Sequence, residues 1–292
     1  MNTLHYKKLD AFASSKSSGN PAGVIYLEQQ DDLNAKQMLQ IAKEQKGFVS
    51  EVGFIWEKDD GSFGLRYYSS EREVAFCGHA TVAIMYDFIK DREELLHKEE
   101  VVIHTKNDTL HVKNMIASTD AVFVTAPQPK FYEKNIDKDM LAKALNIDKQ
   151  IIDETQDISI VDAGLQTLIV PIDSLENILY VEPELEVLKE YCLDIGVDII
   201  LLYTKNCFNQ TNSYRTRVFA ATFGYLEDPA TGSGNSAFGY YLLKQNDWDG
   251  KMMSIEQNGL LEHYNTIKLV VQEKSVLFGG NAVKKIDGFY FL

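Results

Sequence analysis

Positive charge is in short supply in this chain. Its 292 residues carry 29 Lys and Arg against 43 Asp and Glu, a formal net charge of −14. Nucleic-acid binding works by neutralising phosphates from a basic patch, and no Lys/Arg cluster occurs, so no nucleic-acid partner is expected. Cysteine is sparse too. Cys77, Cys192 and Cys207 are odd in number with no C-x-x-C pair, which argues against a disulfide framework or a zinc knuckle. No apolar run approaches the roughly 20 residues of a membrane helix, and the opening residues lack the apolar core of a signal peptide. A cytoplasmic location with no membrane partner is the expectation. P-loop and G-x-S-x-G motifs are missing as well.

What is present is a soluble globular composition, 45% apolar and 25% charged, long enough for two domains that each bury a core. The chain is organised around Cys77-Gly78-His79-Ala80-Thr81. From Ala80 to Ile89 the only charged residue is Asp87, and apolar side chains point all round. A helix apolar on every side and too short to cross a bilayer belongs in the middle of a fold. A second such helix follows Asp228-Pro229-Ala230-Thr231-Gly232-Ser233-Gly234, with Ala237, Phe238, Tyr240, Tyr241, Leu242 and Leu243 on all faces.

The two helices belong to an internal repeat. Arg66-Tyr67-Tyr68 precedes Arg217-Val218-Phe219 by 151 positions, and Cys77 precedes Asp228 by the same distance. Residues 19–27 match 164–172 at an offset of 145, and residues 50–55 match 198–203 at 148. Strands are expected at 4–12, 22–27, 48–56 and 64–69. An amphipathic helix between them starts at a capping box of Asn34 and Gln37 and stops at Gly47, and a hairpin turns at Asn107-Asp108. The fold class that follows is α+β: two duplicated, pseudo-symmetric domains, each a barrel-like mixed or antiparallel sheet wrapped on a central helix. The expected domains are 1–118 and 119–280, with a tail 281–292 able to return to the first. The two helix N-termini are expected to face each other across a cleft that holds a small ligand.

Free N–H groups and a partial positive charge make a helix N-terminus an anion site, and Gly78, Gly232 and Gly234 let a ligand approach the backbone. The same glycines also suit tight helix–sheet packing. His79 and Asp228 stand at the heads of the two helices. Glu51 lies in the strongly apolar segment 48–56, where partial burial raises a carboxyl group's proton affinity as general acid/base work requires. The repeat places Ile199 at the matching position, so the scaffold itself does not need the carboxylate. Gly232-x-Gly234-x-x-Ala237 fits a dinucleotide fingerprint, but Pro229 and a long loop separate it from the preceding strand. His104 and His111 sit across the hairpin without a third metal ligand. Cys77 fits packing better than nucleophilic chemistry.

Asp10-Ala11-Phe12, Gly19-Asn20-Pro21-Ala22, Ser50-Glu51, Cys77-Gly78-His79-Ala80-Thr81 and Glu227-Asp228-Pro229-Ala230-Thr231-Gly232-Ser233 together resemble the PhzF-like phenazine-biosynthesis family, which shares the diaminopimelate epimerase fold. The resemblance implies a cofactor-independent isomerase that moves a proton on a small carboxylated, ring-type substrate between the domains of a homodimeric enzyme. It implies that Glu51 is the acid/base, that His79 and Asp228 assist proton transfer with Ser233 among the polar groups, and that Gly78 and Gly232 lend N–H groups. No cofactor and no metal are expected. The chain departs from the family pattern at Gly234-Asn235 and at Val52-Gly53, so the substrate is left open. The alternatives are an amino-acid racemase or epimerase with a cysteine from each half, an NAD-dependent oxidoreductase, and a non-catalytic small-acid binding protein.

Overall fold

Local chemistry sets the elements one at a time. The Asn34 side chain accepts from the N–H groups of Lys36 and Gln37 while the Gln37 side chain accepts the Asn34 N–H, and the helix Ala35–Glu44 follows. Its stop differs from expectation. Gln45 closes the helix by donating to the Ile41 carbonyl, and Gly47, at φ +81°, lies in the loop beyond.

In the computed structural model, which describes residues 3–292, the chain forms two compact units. One takes the chain up to Thr125 together with Gly279–Leu292, and the other is Ala126–Phe278.

In the first unit Thr3–Ala11 lies antiparallel between Ala282–Phe291 and Asn20–Tyr26. Asn20–Tyr26 then runs parallel to Glu51–Glu57, which is antiparallel to Phe63–Ser69. Phe63–Ser69 runs parallel to Glu100–His104, and antiparallel strands Thr109–Asn114 and Val122–Thr125 complete the order. The helix Gly78–Lys90 touches strands at both ends of this order, so the sheet curls around it. Every residue from Ala80 to Ile89 is buried. Each side chain of Leu size buried in this way stabilises by roughly 1.5–3 kcal/mol. The lone charge, Asp87, is paired with Lys7 Nζ at 2.6 Å and accepts from the Tyr26 hydroxyl at 3.2 Å.

The second unit repeats the pattern. Ser159–Asp162 is antiparallel to Gln166–Pro171, which runs parallel to Ile199–Thr204, itself antiparallel to Tyr214–Phe219. Tyr214–Phe219 runs parallel to Met253–Gln257, which is antiparallel to Asn265–Gln272. The helix Gly232–Gln245 packs in their midst. A fully buried ion pair, Arg215 Nη1 to Glu256 Oε2 at 3.0 Å, joins two of these strands. Arg215 also donates to the carbonyls of Asn258, Leu260 and Leu261. Among the described residues no helix is long and apolar enough to cross a membrane.

Strand register makes the duplication explicit. Ala22 pairs with Glu51 and Phe54 with Arg66 in the first unit; Thr167 pairs with Ile199 and Leu202 with Arg217 in the second. These are the partners that the three sequence offsets imply. Each unit therefore has the expected α+β architecture, a mixed sheet around one apolar helix. Beyond the Arg-led strand the correspondence shifts by three residues. Arg66 pairs with Glu73 at 2.7 Å and Arg217 with Glu227 at 2.8 Å, and the helices begin at Gly78 and Gly232. The longer connection between Arg217 and Glu227, through the turn Ala221–Phe223, accounts for the shift. Cys77 thus corresponds to Thr231 and His79 to Ser233, while Asp228 stands ahead of the helix on the short strand Glu227–Asp228.

Candidate active site

Strand Glu51–Glu57 is covered on both faces, and that decides where Glu51 points. Val52, Phe54 and Trp56 pack with Met38, Ile41 and Ala42 of helix Ala35–Glu44. The opposite face, carrying Glu51, Gly53 and Ile55, lies against helix Gly78–Lys90, where a Cβ on Gly53 would come within 2.2 Å of Ile84 Cδ1. Glu51, first on the strand, consequently reaches the N-terminus of that helix. Its Oε2 lies 3.3 Å from His79 Nε2, with side-chain exposures of 20% for Glu51 and 13% for His79. The Cys77 thiol donates to the same Glu51 Oε2 at 3.5 Å and sits 3.5 Å from His79 Nδ1. This contact between Cys77 and Glu51 was not legible in the sequence.

The helix start is held from within. Thr81 donates from both its N–H and its hydroxyl to the Cys77 carbonyl, at 2.9 and 2.7 Å, and the Tyr67 hydroxyl lies 2.6 Å from the Thr81 hydroxyl. Cys77 is the N-cap, yet its side chain makes no capping bond. The first-turn N–H groups, Gly78 among them, are therefore left to other acceptors.

In the second unit Thr231 likewise caps helix Gly232–Gln245 without a side-chain bond to it. Its hydroxyl donates instead to the Asp228 carboxylate. The glycine at the helix start has a packing reason, because a Cβ on Gly232 would lie 2.4 Å from the Phe278 ring. Ser233, half-buried, is the second residue of the helix. The segment 228–232 is clamped by buried amides that the sequence did not flag. Gln257 Oε1 accepts from the Thr231 N–H at 3.0 Å and from the Asn235 amide at 2.7 Å, and Gln257 Nε2 donates to the Asp228 carbonyl at 2.8 Å. Asn265 donates to the Pro229 carbonyl at 2.8 Å. Asn235, a departure from the expected pattern, thereby acquires a structural role. Its position was the available signal, since a polar residue at a core-helix position must find a buried partner.

Gln257→Leu is expected to cost about 1–3 kcal/mol for each polar group left without a partner. Thermal unfolding checks this, and a melting point equal to the parent's would show that the clamp adds nothing to stability.

The remaining sequence candidates separate cleanly. His104 bonds the Thr109 hydroxyl at 2.9 Å and His111 pairs with Glu100, so the hairpin histidines are engaged in surface contacts. The dinucleotide fingerprint starts at Gly232, but residues 220–231 intervene after strand Tyr214–Phe219, and the tight strand-to-helix turn it needs is missing.

Comparison with known proteins identifies relatives along nearly the whole chain. The profile of a family described as "Phenazine biosynthesis-like protein" matches residues 9–288. The "Uncharacterized isomerase YfhB" of Bacillus subtilis is 32% identical over 88% of this chain and 87% of its own length. The trans-2,3-dihydro-3-hydroxyanthranilate isomerase of Pseudomonas chlororaphis is 28% identical over 82% of this chain and 80% of its own. Among solved structures, the Bacillus anthracis phenazine biosynthesis protein of the PhzF family superposes with a TM-score of 0.86 at 23% identity, covering 100% of both chains. A profile match along residues 9–288 and a relative 32% identical over 88% of the chain place this chain in the phenazine biosynthesis-like (PhzF) family.

Proposed function

We propose that this chain is a cofactor-independent isomerase that moves a proton between two carbons of a small carboxylated substrate. The observation that carries the reading is the Glu51–His79 contact of 3.3 Å at the head of a core helix. Glu51 takes a proton from one carbon adjacent to an unsaturated system, the electrons shift through that system, and the same carboxyl group returns the proton to a second carbon. His79 touches the carboxylate and holds it in position while the charge changes. The first-turn N–H groups around Gly78 suit the substrate's carboxylate. Asp228, Gly232 and Ser233 serve the same reaction in this reading, Asp228 as a second polar group assisting proton transfer and the other two as substrate-binding groups. The substrate class, a cyclic unsaturated amino or hydroxy acid, is supported by the Pseudomonas chlororaphis relative, whose name specifies a dihydro-hydroxyanthranilate. A homodimer belongs to the same reading.

A racemase built on two thiols lacks its second thiol here, because Thr231 stands where the first unit has Cys77. Incubation with cyclic and linear unsaturated amino and hydroxy acids in deuterated water tests the proposal. An isomerase moves the double bond, and it incorporates deuterium at carbon to the extent that the carboxyl group exchanges its proton with solvent between the two steps. Exchange at the α-carbon without bond migration would assign a racemase instead, and binding without exchange or bond migration would leave only a small-acid binding protein.

A further inference from the structure

We propose that Glu51, Cys77 and His79 form a zinc site whose filling shuts the enzyme off. The three residues offer a carboxylate oxygen, a sulfur and an imidazole nitrogen whose ligating atoms all lie within 4.8 Å of one another. With Zn–S about 2.3 Å, Zn–N about 2.0–2.1 Å and Zn–O about 2.0–2.2 Å, a tetrahedral ion demands edges of about 3.5 Å from sulfur to either other ligand and about 3.3 Å from nitrogen to oxygen. The observed edges are 3.3 Å for His79 Nε2 to Glu51 Oε2, 3.5 Å for Cys77 Sγ to Glu51 Oε2, and 4.0 Å for Cys77 Sγ to His79 Nε2. A small rotation of one side chain closes the last.

Three protein ligands with a fourth position open to water or substrate is the arrangement of an accessible zinc site. Charge also balances. Binding expels the thiol proton to solvent, and thiolate, carboxylate and neutral imidazole then neutralise the two charges of the ion. The parts are preassembled, since Glu51 opens a strand covered on both faces and Cys77 and His79 flank Gly78 at a helix start pinned through Thr81 and Tyr67. The ion is an inhibitor in this proposal and takes no part in turnover. Once Glu51 ligates zinc, the lone pair that takes the substrate proton is occupied. That consequence rests on the role proposed for Glu51; the binding of the metal does not.

The test uses the purified full chain, stripped with a chelator and titrated with cobalt(II), then zinc. Cobalt is expected to give a thiolate-to-metal charge-transfer band in the near ultraviolet and the intense visible bands of a four-coordinate ion, at one ion per chain, with zinc displacing it. Cys77→Ser is expected to abolish the charge-transfer band and to weaken zinc binding by at least about 100-fold, the upper range for losing a mere supporting partner. Glu51→Gln is expected to keep the band while weakening zinc by about 10-fold or more. Absence of the band in the parent protein overturns the site without relying on any variant, as does parent-like zinc affinity in a folded Cys77→Ser. Zinc added until the cobalt signal is gone is expected to halt deuterium exchange, with a chelator restoring it. Should exchange continue with the site filled, the metal site would stand and the role of Glu51 would fall.

Discussion

Glu51→Gln is expected to lower turnover by about 10²–10⁴-fold, the usual contribution of a positioned general acid/base. The amide matches the carboxylate in shape and still reaches His79 and the Cys77 thiol, so the fold and the helix head remain as they are. What it loses is the ability to accept a proton from carbon. Affinity for a substrate or competitive inhibitor is expected to stay within a few-fold of the parent, because the groups suited to a carboxylate are the N–H groups of the helix start. Deuterium incorporation is expected to fall in parallel with turnover, since both pass through the same abstraction. The measurement is turnover, exchange and ligand affinity side by side on a confirmed substrate. Activity within a few-fold of the parent would take Glu51 out of the mechanism and move the role to His79 or Asp228.

The largest loss of stability is expected at Arg215. Both partners of the Arg215–Glu256 pair have side chains with 0% exposure. Glu256 also accepts from the N–H groups of Phe208 and Asn209 and from the Asn212 amide, while Arg215 gathers three carbonyls of the loop after Met253–Gln257. Arg215→Met fills much of the space but leaves a buried carboxylate without its counter-charge and three carbonyls without a donor. Breaking one side of a buried pair costs about 3–5 kcal/mol. For a unit of this size that lowers the melting point by roughly 6–20 °C, at about 2–4 °C per kcal/mol. Glu256→Gln keeps an acceptor oxygen toward Arg215 and is expected to cost less. A calorimetric scan in which Arg215→Met melts with the parent would show that the pair is neutral to stability.

These residues also mark the limits of sequence reading. The two core helices were legible because a helix with one charge in ten residues has nowhere to go but inside, and Asp87 does find Lys7 there. The Asn34 capping box was legible because both of its bonds lie within four residues. The repeat was legible through strands whose pairing fixes their spacing. Its offset failed only where the chain leaves regular structure, between the Arg-led strand and the helix, because a loop can absorb three residues without disturbing either element. For that reason the repeat offset puts Asp228 at the head of a helix, whereas the helix begins at Gly232. Gln257 was invisible for another cause. Its partners Thr231 and Asn235 lie 26 and 22 positions away, and nothing in an alternating strand pattern says which polar residue will be used. Glu51 and Cys77 are likewise 26 positions apart, and only the curl of the sheet around the helix brings them together.

The pairing of Ala282–Phe291 with Thr3–Ala11 has a consequence for how the chain is made. Synthesis proceeds from the N-terminal side, so the first unit emerges from the ribosome lacking the strand that borders Thr3–Ala11. Before that strand arrives, all of Ala126–Phe278 must be translated, which takes about 8–30 s at the roughly 5–20 residues per second of a working ribosome. Throughout that interval Thr3–Ala11 exposes a row of unpaired backbone groups, an open edge of the kind that recruits other strands. The second unit, contiguous in sequence, carries no such debt. The order of completion along the nascent chain is therefore the reverse of the order of the genetic message: the unit encoded first is the one finished last.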